Sequence, residues 1–492
     1  MSEVGNLDLS QPIDLNDPGA SAFLGDLQGN ILKSHGRRKT TNLFVTFTGE
    51  VADTKALLAS LAADGTITSA AEQKKQRDRK ENGQPGPKGE APGEETATFL
   101  FLSAQGYSYI GETAPEDEPF QKGMGRADAD LGDPAQSAWD EPFNAPSEAP
   151  IHALLILANE NSSSLDKAAS DMQERIVSAG IRVVGKIDGR GLKNGNGHDV
   201  EHFGYVDGIS QPLLTCSDVQ EASDNATAAN AKADSLGAPK SVKPFDPSFS
   251  PEATVLVPDP LSPKGGFGSF FVFRQLEQNV DGFKKAEAEL GKLLPKGQEE
   301  RAGAMIVGRF EDGTPVARYG EEIGPIGPKG TPDNHFSYDI DPDGEKCPFQ
   351  AHIRKTNPRG DVERQFGAGP EAERRVLFPR RGVTYGSRET HDDDVLNEDA
   401  SHPSGGVGLL FMAYNKDIAR QFEFMQRDWA NSPTFVTGNP GIDPIIGQSG
   451  QSWPENHGGG AKVVHDFHGF VRMKGGEYFF APSLSGLQAL HP

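Results

Sequence analysis

Three segments marked by glycine or proline contain residues whose types could do chemistry together. Asp207 lies in the glycine-flanked segment GYVDG, where glycine permits a sharp bend or a close approach of the backbone to a ligand. His352 lies in the segment CPFQAHIRKTNPR, and Arg380 lies in the segment PRRGVTYG. A carboxylate that moves a proton, a cation that stabilises negative charge and an imidazole that binds iron could form a peroxide-cleaving haem site. For Asp207 alone, a turn aspartate bonded to its own backbone is the simpler interpretation.

The order of these motifs resembles that of the dye-decolorising haem peroxidases. GYVDG at 204–208 resembles the GxxDG signature of that family, AHIR at 351–354 its proximal-ligand motif, and RRGVTYG at 380–386 its distal arginine motif. The likeness covers most of the chain, because further similar segments are DLQGNIL at 26–32, GLLF at 408–411 and GGEYFF at 475–480. GxxDG alone is an unspecific pattern, but three motifs in the order of the family are specific.

The resemblance implies both a fold and an activity. The fold is α+β, with two ferredoxin-like domains whose antiparallel sheets form one core and with haem bound in the C-terminal domain. The activity is that of a haem b peroxidase with one haem per chain. It would use hydrogen peroxide to oxidise organic reductants such as dyes and phenols by one-electron steps through an oxyferryl intermediate. Two alternatives stay open: a haem- or iron-handling protein of the same fold with little peroxidase turnover, and a non-enzymatic acidic binding protein.

The candidate cofactor-binding residues lie mostly around the second motif. His352 is the candidate iron ligand, since peroxidase haem is held by a proximal histidine. Arg354 and Arg359 follow closely and are candidate partners for the haem propionates. Asp443 resembles the carboxylate of the family that accepts the second ring N–H of the ligand, although a turn aspartate before proline is an equal alternative. The resemblance also implies that Phe411 lines the distal pocket.

The candidate catalytic residues are Asp207 and Arg380. Asp207 would move the peroxide proton from one oxygen to the other, and Arg380 would stabilise the charge that develops as the O–O bond breaks. Arg381 is the competitor of Arg380. Because bulky dyes would not fit a buried pocket, electrons would travel through exposed aromatic side chains, for which Trp429 and Tyr385 are the candidates.

Composition restricts the class of protein and its partners. The 492 residues are enough for two domains, and a net charge of -23 disfavours nucleic acid and anionic membranes as partners. The expected partners are hydrogen peroxide and organic reducing substrates, and the oligomeric state stays open. Cys216 and Cys347 allow at most one disulfide, and we expect both to be reduced. No secretory signal is visible, so we expect a cytoplasmic protein, with a secreted mature form as the alternative.

Periodicity and composition predict the domain organisation. Strand, helix and strand follow one another twice, at 151–158, 165–177 and 181–187, then at 268–273, 280–294 and 407–414, with a further helix at 418–425. We expect an N-terminal ferredoxin-like domain at 1–225 that carries the GxxDG motif, with a disordered charged insertion at about 70–96. A polar linker or loop is expected at 226–250, and a C-terminal ferredoxin-like haem-binding domain at 251–492.

Two metal-site patterns are weaker alternatives. His198 and His202 have the spacing of a helical zinc pair, but the glycines around them disfavour a helix. The segment DIDPDG at 339–344 imitates the start of a calcium loop, yet the twelfth position is Gln350 instead of Glu. We interpret it as a loop that enters a strand carrying His352.

Overall fold

Eight strands from both halves of the chain close into one antiparallel ring. The computed structural model describes residues 7–126, 130–144, 149–241, 249–391, 394–448, 453–455, 463–465 and 467–490. The ring strands are β1 (Lys39–Phe47), β2 (Ala97–Leu102), β3 (Ala153–Asn159), β4 (Ile181–Arg190), β5 (Phe267–Gln278), β6 (Val383–Tyr385), β7 (Gly408–Asn415) and β8 (Val471–Ala481). Short strands outside the ring are Leu192–Lys193, Asp199–Val200, Val257–Pro258, Trp453–Glu455 and Val463–His465.

Each half of the ring has the same internal order. The first four strands lie in the order β4-β1-β3-β2, and the last four in the order β8-β5-β7-β6. Helices connect the first strand to the second and the third to the fourth in both halves, which is the split βαβ pattern of a ferredoxin-like unit. The prediction of an α+β fold with two ferredoxin-like antiparallel sheets is therefore confirmed.

Two seams join the halves into a barrel. Gly189 of β4 pairs with Tyr385 of β6, and Phe480 of β8 pairs with Leu102 of β2. Aromatic side chains from strands that are not neighbours meet inside the ring. Phe101 stacks on Phe271 with ring centroids 4.2 Å apart, and further contacts join Phe44 to Phe273 and Phe101 to Tyr414. The barrel interior is thus a shared aromatic core of both halves.

Helices cover the outside of the barrel. The α-helices are Ser21–Asp26, Val51–Ala63, Ala70–Glu81, Ala104–Ile110, Glu118–Lys122, Ser162–Ser178, Cys216–Leu236, Pro251–Thr254, Val280–Gly291, Arg301–Val307, His352–Thr356, Asp361–Phe366, Pro370–Arg374 and Leu484–Gln488. Two π-helical stretches, Ala419–Glu423 and Met425–Ala430, follow β7. Helix Ser162–Ser178 is capped by Asn161 and buries Leu165, Ala169, Met172 and Ile176. None of the helices in the described ranges is long and apolar enough to cross a membrane.

The predicted disorder at 70–96 is wrong for Ala70–Glu81, which is an α-helix. Ser69 caps it by accepting a hydrogen bond from the backbone of Glu72. The polar side chains that suggested disorder have distant partners. The Gln73 amide accepts from the backbone N–H of Asn30 at 2.7 Å and donates to a backbone carbonyl of the same segment. Satisfied polar groups allow a strongly polar helix to be packed against the fold.

The predicted linker is also largely helical. Cys216–Leu236 is a helix of 21 residues, capped at its start by Thr215 and ended by Gly237 in the left-handed conformation. Ala229 and Ala233 are fully buried along it. Alanine is the strongest helix former, which explains why this Ala-rich stretch is a helix. The linker prediction is therefore wrong for 226–236, and its residues 242–248 lie outside the described residues.

Candidate active site

A cavity of about 210 Å³ lies against the outer face of the second sheet. Side chains of a strand alternate between its two faces. Phe271 and Phe273 of β5 point into the barrel, so Arg274, Leu276 and Gln278 point outward, and all three line the cavity. Since one water needs a cavity of about 10–15 Å³, this cavity has room for more than a dozen waters or for one large organic group.

The cavity brings the predicted residues together. Asp207, His352, Arg380 and Phe411 all line it, although 204 positions separate Asp207 from Phe411 in the sequence. Apolar side chains supply much of the remaining wall, among them Val307, Phe378, Leu409, Phe422, Met425 and Ile445. Such a cavity, apolar with a few convergent polar groups, is typical of a site for a large cofactor or ligand.

His352 is the first residue of a short helix, His352–Thr356, so the predicted strand at this position is wrong. Its Nδ1 atom lies 2.8 Å from Oδ2 of Asp443. Asp443 has no exposed side-chain surface, and its Oδ1 atom accepts hydrogen bonds from the backbone N–H groups of Ile445 and Ile446. Burial disfavours the imidazolium, but the nearby carboxylate outweighs this effect and raises the pKa of His352. The carboxylate orients the ring and directs Nε2 away from itself.

The Asp207 segment is held in a tight bend. The Glu201 carboxylate accepts hydrogen bonds from the backbone N–H groups of Phe203 and Tyr205, at 2.8 and 3.0 Å. The backbone N–H of Asp207 donates to the carbonyl of Asp199, and Gly208 follows with φ +74°. The left-handed conformation explains the glycine after the aspartate. The bend leaves the Asp207 side chain exposed to the cavity.

The choice between Arg380 and Arg381 is decided by where each guanidinium lies. Nη2 of Arg380 donates to the carbonyl of Ser210 at 2.9 Å, and the side chain lines the cavity. Arg381 points elsewhere and donates to the backbone carbonyls of Asn30 and Ile31. Burial lowers the pKa of Arg380, and the negative charge of Asp207 acts in the opposite direction. Arg380 and Asp207 line the same cavity.

Arg354 does not lie where the sequence predicted a partner for a haem propionate. Its guanidinium lies between the rings of Tyr338 and Phe349, 4.2 Å from each centroid, and does not line the cavity. Its Nε donates to Asp361 at 2.6 Å, and its Nη1 to Asp341 at 3.2 Å. Because two buried carboxylates already use this charge, Arg354 is not placed to bind a propionate.

Arg359 lies behind the cavity wall and not in it. Its Nη1 donates to the carbonyls of Asn334 and Phe336, and its Nη2 to Oγ of Ser210 at 3.1 Å. Ser210 lines the cavity, so Arg359 is one residue removed from its surface. Burial, together with the like charge of Arg309, lowers the pKa of Arg359 to about 9. Arg359 is therefore not placed to contact a propionate directly, and its guanidinium holds Ser210 of the cavity wall.

Trp429 and Tyr385 are buried, which contradicts their predicted exposure. Trp429 is 4% exposed and stacks on Phe435, with ring centroids 5.0 Å apart and an interplanar angle of 6°. Tyr385 is 8% exposed and lies in β6. Neither ring lines the cavity, and neither presents a surface that a bulky dye could touch.

Several cavity residues were not predicted. Arg309 and Asn357 lie near the His352 helix, and Glu201 and Tyr205 lie in the segment of Asp207. The sequence contained a signal for the last two, since Tyr205 lies inside the GYVDG motif and Glu201 lies three residues before the motif begins. The metal alternatives fail, because no group of three or more His, Cys, Asp or Glu side chains in the described part of the chain could hold a metal ion.

Comparison with known proteins identifies the family. Residues 26–191 match the model of the DyP dimeric alpha+beta barrel domain. The chain is 41% identical to the multifunctional dye peroxidase DyP2 of Amycolatopsis sp. over 489 residues, which cover 96% of each chain. This chain belongs to the dye-decolorising (DyP-type) peroxidase family. It is therefore an enzyme of the haem peroxidase class.

Solved structures of DyP-type peroxidases share the whole architecture. The peroxidase of Anabaena sp. superposes with a TM-score of 0.85 at 36% identity, covering 98% of this chain and 99% of that chain. A fungal DyP-type peroxidase from Auricularia auricula-judae gives a TM-score of 0.72 at 25% identity, covering 95% and 98%. The barrel thus belongs to a fold that this family shares.

The residues around the cavity fit the haem that the DyP-type family implies. Asp443 occupies Nδ1 of His352, so Nε2 is the ring nitrogen that can bind iron. The buried Oδ1 atom of Asn357, at the cavity wall, has no hydrogen-bond partner within the described residues. A buried acceptor of this kind needs a donor from a bound group or water. The apolar walls suit the porphyrin ring.

Proposed function

We propose that this chain is a haem b peroxidase that uses hydrogen peroxide to oxidise organic reductants such as dyes and phenols. The observation that carries this proposal is the single cavity that joins the His352–Asp443 pair to Asp207 and Arg380. Haem would supply the iron that accepts peroxide and stores its two oxidising equivalents. The protein residues supply the ligand, the proton transfer and the electrostatic stabilisation.

His352 is the iron ligand in this proposal, and Asp443 is its positioning residue. The buried carboxylate fixes the imidazole with Nδ1 as the donor and increases the electron donation of Nε2. Three groups hold Asp443 itself, namely His352 and two backbone N–H groups. Because the ring cannot rotate without breaking this arrangement, its orientation toward the cavity is set before a cofactor binds.

Asp207 is the proton-transferring group. Its exposed carboxylate takes the proton from one peroxide oxygen and returns it to the other, which leaves as water. Arg380 stabilises the negative charge on the oxygen that leaves, because its guanidinium is fixed by Ser210 in the wall of the same cavity. Phe411 and its aromatic neighbours Phe378 and Phe422 exclude water from this side of the cavity.

The test compares the visible spectrum of the purified protein with that of a variant that lacks the proposed iron ligand, His352. We expect the haem-loaded protein to show a Soret band and to oxidise dyes with peroxide. His352→Ala is expected to lose most bound haem or to shift the spectrum strongly, whereas His402→Ala, at a histidine that does not line the cavity, should not. Normal haem content with an unchanged spectrum in His352→Ala would falsify the assignment.

A further inference from the structure

Lys355 is a buried cation on the helix that begins at His352. Among the lysines of the described ranges it alone is buried, with 0% of its surface exposed. It lies three positions after His352 in the helix His352–Thr356, and helical residues three apart lie on the same side of their helix. Lysine is almost never fully buried unless its charge is paired. The surroundings of this side chain must therefore explain its burial.

The groups that Lys355 contacts are neutral. Its Nζ atom donates to the backbone carbonyl of Ser432 at 2.6 Å and to the backbone carbonyl of Phe435, and it lies 5.6 Å from the centroid of the Phe435 ring. A neutral amide side chain could donate to the same two carbonyls. Because the burial of a charge is costly, these hydrogen bonds alone do not account for a charged residue at this position.

The segment that Lys355 binds also holds Asp443. The backbone N–H of Asp443 donates to the carbonyl of Ala430 at 2.8 Å, and Ala430 lies two residues before Ser432. The helix of His352 therefore contacts this segment at two points. One is the hydrogen bond between His352 and Asp443, and the other is Nζ of Lys355 on the Ser432 carbonyl.

Lys355 and Asp443 are opposite charges that are both fully buried. The Asp443 carboxylate accepts hydrogen bonds from the His352 ring and from two backbone N–H groups. Imidazole binds a metal in its neutral form, so none of these donors carries a positive charge when His352 is an iron ligand. Burial lowers the pKa of Lys355 to about 7, and the negative charge of Asp443 acts in the opposite direction. The ammonium thus supplies a positive charge that offsets the buried carboxylate.

The charge of Asp443 determines how strongly the His352 ring donates electrons. A carboxylate that accepts the Nδ1 proton makes the ring a more basic ligand, and a positive charge that offsets the carboxylate reduces this effect. A more basic ligand stabilises ferric iron relative to ferrous iron and so lowers the reduction potential. A cation beside this pair therefore acts on the potential with the opposite sign to the carboxylate.

From these contacts we propose that Lys355 offsets the charge of Asp443 and so limits electron donation from His352 to iron. The inference rests on the proposed function, in which His352 is the iron ligand. Lys355 acts through Asp443 and is a positioning residue in this role. The sign of its effect separates this role from a merely structural one. If Lys355 only held the segment, its loss would loosen the bond between His352 and Asp443, and the reduction potential would rise.

The experiment is a spectroelectrochemical titration of the ferric/ferrous couple in the haem-loaded protein, at a pH below the Lys355 pKa of about 7. Lys355→Gln removes the charge but keeps an amide that can donate to the two carbonyls. We expect a lower reduction potential in this variant and a higher iron–histidine stretching frequency in the resonance Raman spectrum of its ferrous form. The matched control is Lys416→Met. Nζ of Lys416 also donates to a backbone carbonyl, that of Glu252 at 2.6 Å, but Lys416 does not line the cavity, so the potential should not change.

The outcomes separate this inference from the proposed function. A reduction potential that is unchanged or higher in Lys355→Gln, or one that falls equally in Lys416→Met, overturns the inference alone. If Lys355→Gln does not fold or does not bind haem, Lys355→Met, with an uncharged side chain of similar length, decides by the same criterion. A parent protein that does not bind haem overturns the proposed function and this inference with it.

Discussion

Nδ1 of His352 and Oδ2 of Asp443 lie 2.8 Å apart, although the two residues are 91 positions apart in the sequence. The carboxylate is fully buried, and its second oxygen accepts two backbone N–H groups at 2.8 and 3.0 Å. A buried carboxylate that accepts three hydrogen bonds has little freedom to move. The pair therefore connects the helix of His352 rigidly to the segment that follows the π-helical stretches.

Asp443→Asn tests this relationship. The amide can keep the backbone hydrogen bonds through one oxygen, but it removes the negative charge that polarises the imidazole. We expect haem retention to weaken by about 10–100-fold, the range typical for such supporting residues. Haem transfer to apomyoglobin measures the loss, and the reduction potential of the iron should rise in the same variant. Unchanged transfer and potential would remove Asp443 from its positioning role.

Asp207→Asn and Arg380→Leu should separate haem binding from peroxide chemistry. Neither residue is a proposed iron ligand, so both variants should load haem normally. The reaction with peroxide should slow by about 10²–10⁴-fold, as expected when a proton-transferring group is lost. Stopped-flow mixing with peroxide measures this rate. Rates within a few-fold of the parent enzyme in both variants would refute the proposed roles.

Arg354→Ala should reduce stability without a specific effect on the peroxide reaction. The substitution removes the cation that Asp341 and Asp361 share, although Asp361 keeps its pair with Arg364, and removing one partner of a buried pair costs about 3–5 kcal/mol. Urea unfolding measures the change in the free energy of unfolding. The double variant Arg354→Met with Asp361→Leu should be less destabilised than Arg354→Ala. A normal stability combined with poor haem retention would restore Arg354 as a propionate partner.

Glu201→Gln should remove a pH dependence of stability. Burial raises the pKa of Glu201 from 4.5 to about 7, against the opposing effect of three hydrogen bonds. A carboxyl group whose pKa is raised by folding stabilises the fold fully below the unfolded value, and the stabilisation is lost as pH rises toward the folded value. The free energy of unfolding of the parent should therefore fall, relative to Glu201→Gln, by about 3 kcal/mol between these two pH values. A parallel pH dependence of both proteins would contradict the buried, protonated state.

Trp429→Phe and Tyr385→Phe should keep full turnover of a bulky dye, since both aromatic rings are buried away from the cavity surface. Steady-state oxidation of a large anthraquinone dye measures this turnover. If either Trp429→Phe or Tyr385→Phe slows dye turnover alone, that residue regains its place in electron transfer.

Most of the predicted residues that meet in the cavity could be found from the sequence, because they lie in motifs that occur in the order of the family. Asp207, His352, Arg380 and Phe411 all line it. The role of a cation could not be predicted in the same way. Arg354 has the right charge at the right spacing for a propionate partner. However, Asp341, which precedes the motif, and Asp361, which follows it, neutralise that charge. Sequence spacing shows where a charge lies along the chain, not which buried group uses it.

Local composition was misleading where partners are distant. The stretch Ala70–Glu81 is polar enough to suggest disorder, yet Gln73 binds the backbone around Asn30 and the helix is ordered. Trp429 has the charged neighbours Arg427 and Asp428, which indicated a surface position, but its ring turns inward onto Phe435. In both cases the deciding contact joins segments that a local window does not compare.

The two seams of the barrel can form only after the C-terminal strands have been synthesised. When β1 to β4 have left the ribosome, the outer edges of β2 and β4 have no partners, because β8 and β6 are made much later. Unpaired strand edges attract other chains, so this interval is the one in which the nascent protein needs protection. The Asp207 segment is made early too, but most walls of its cavity come from residues after 270. The cavity is therefore complete only when nearly the whole chain has been made.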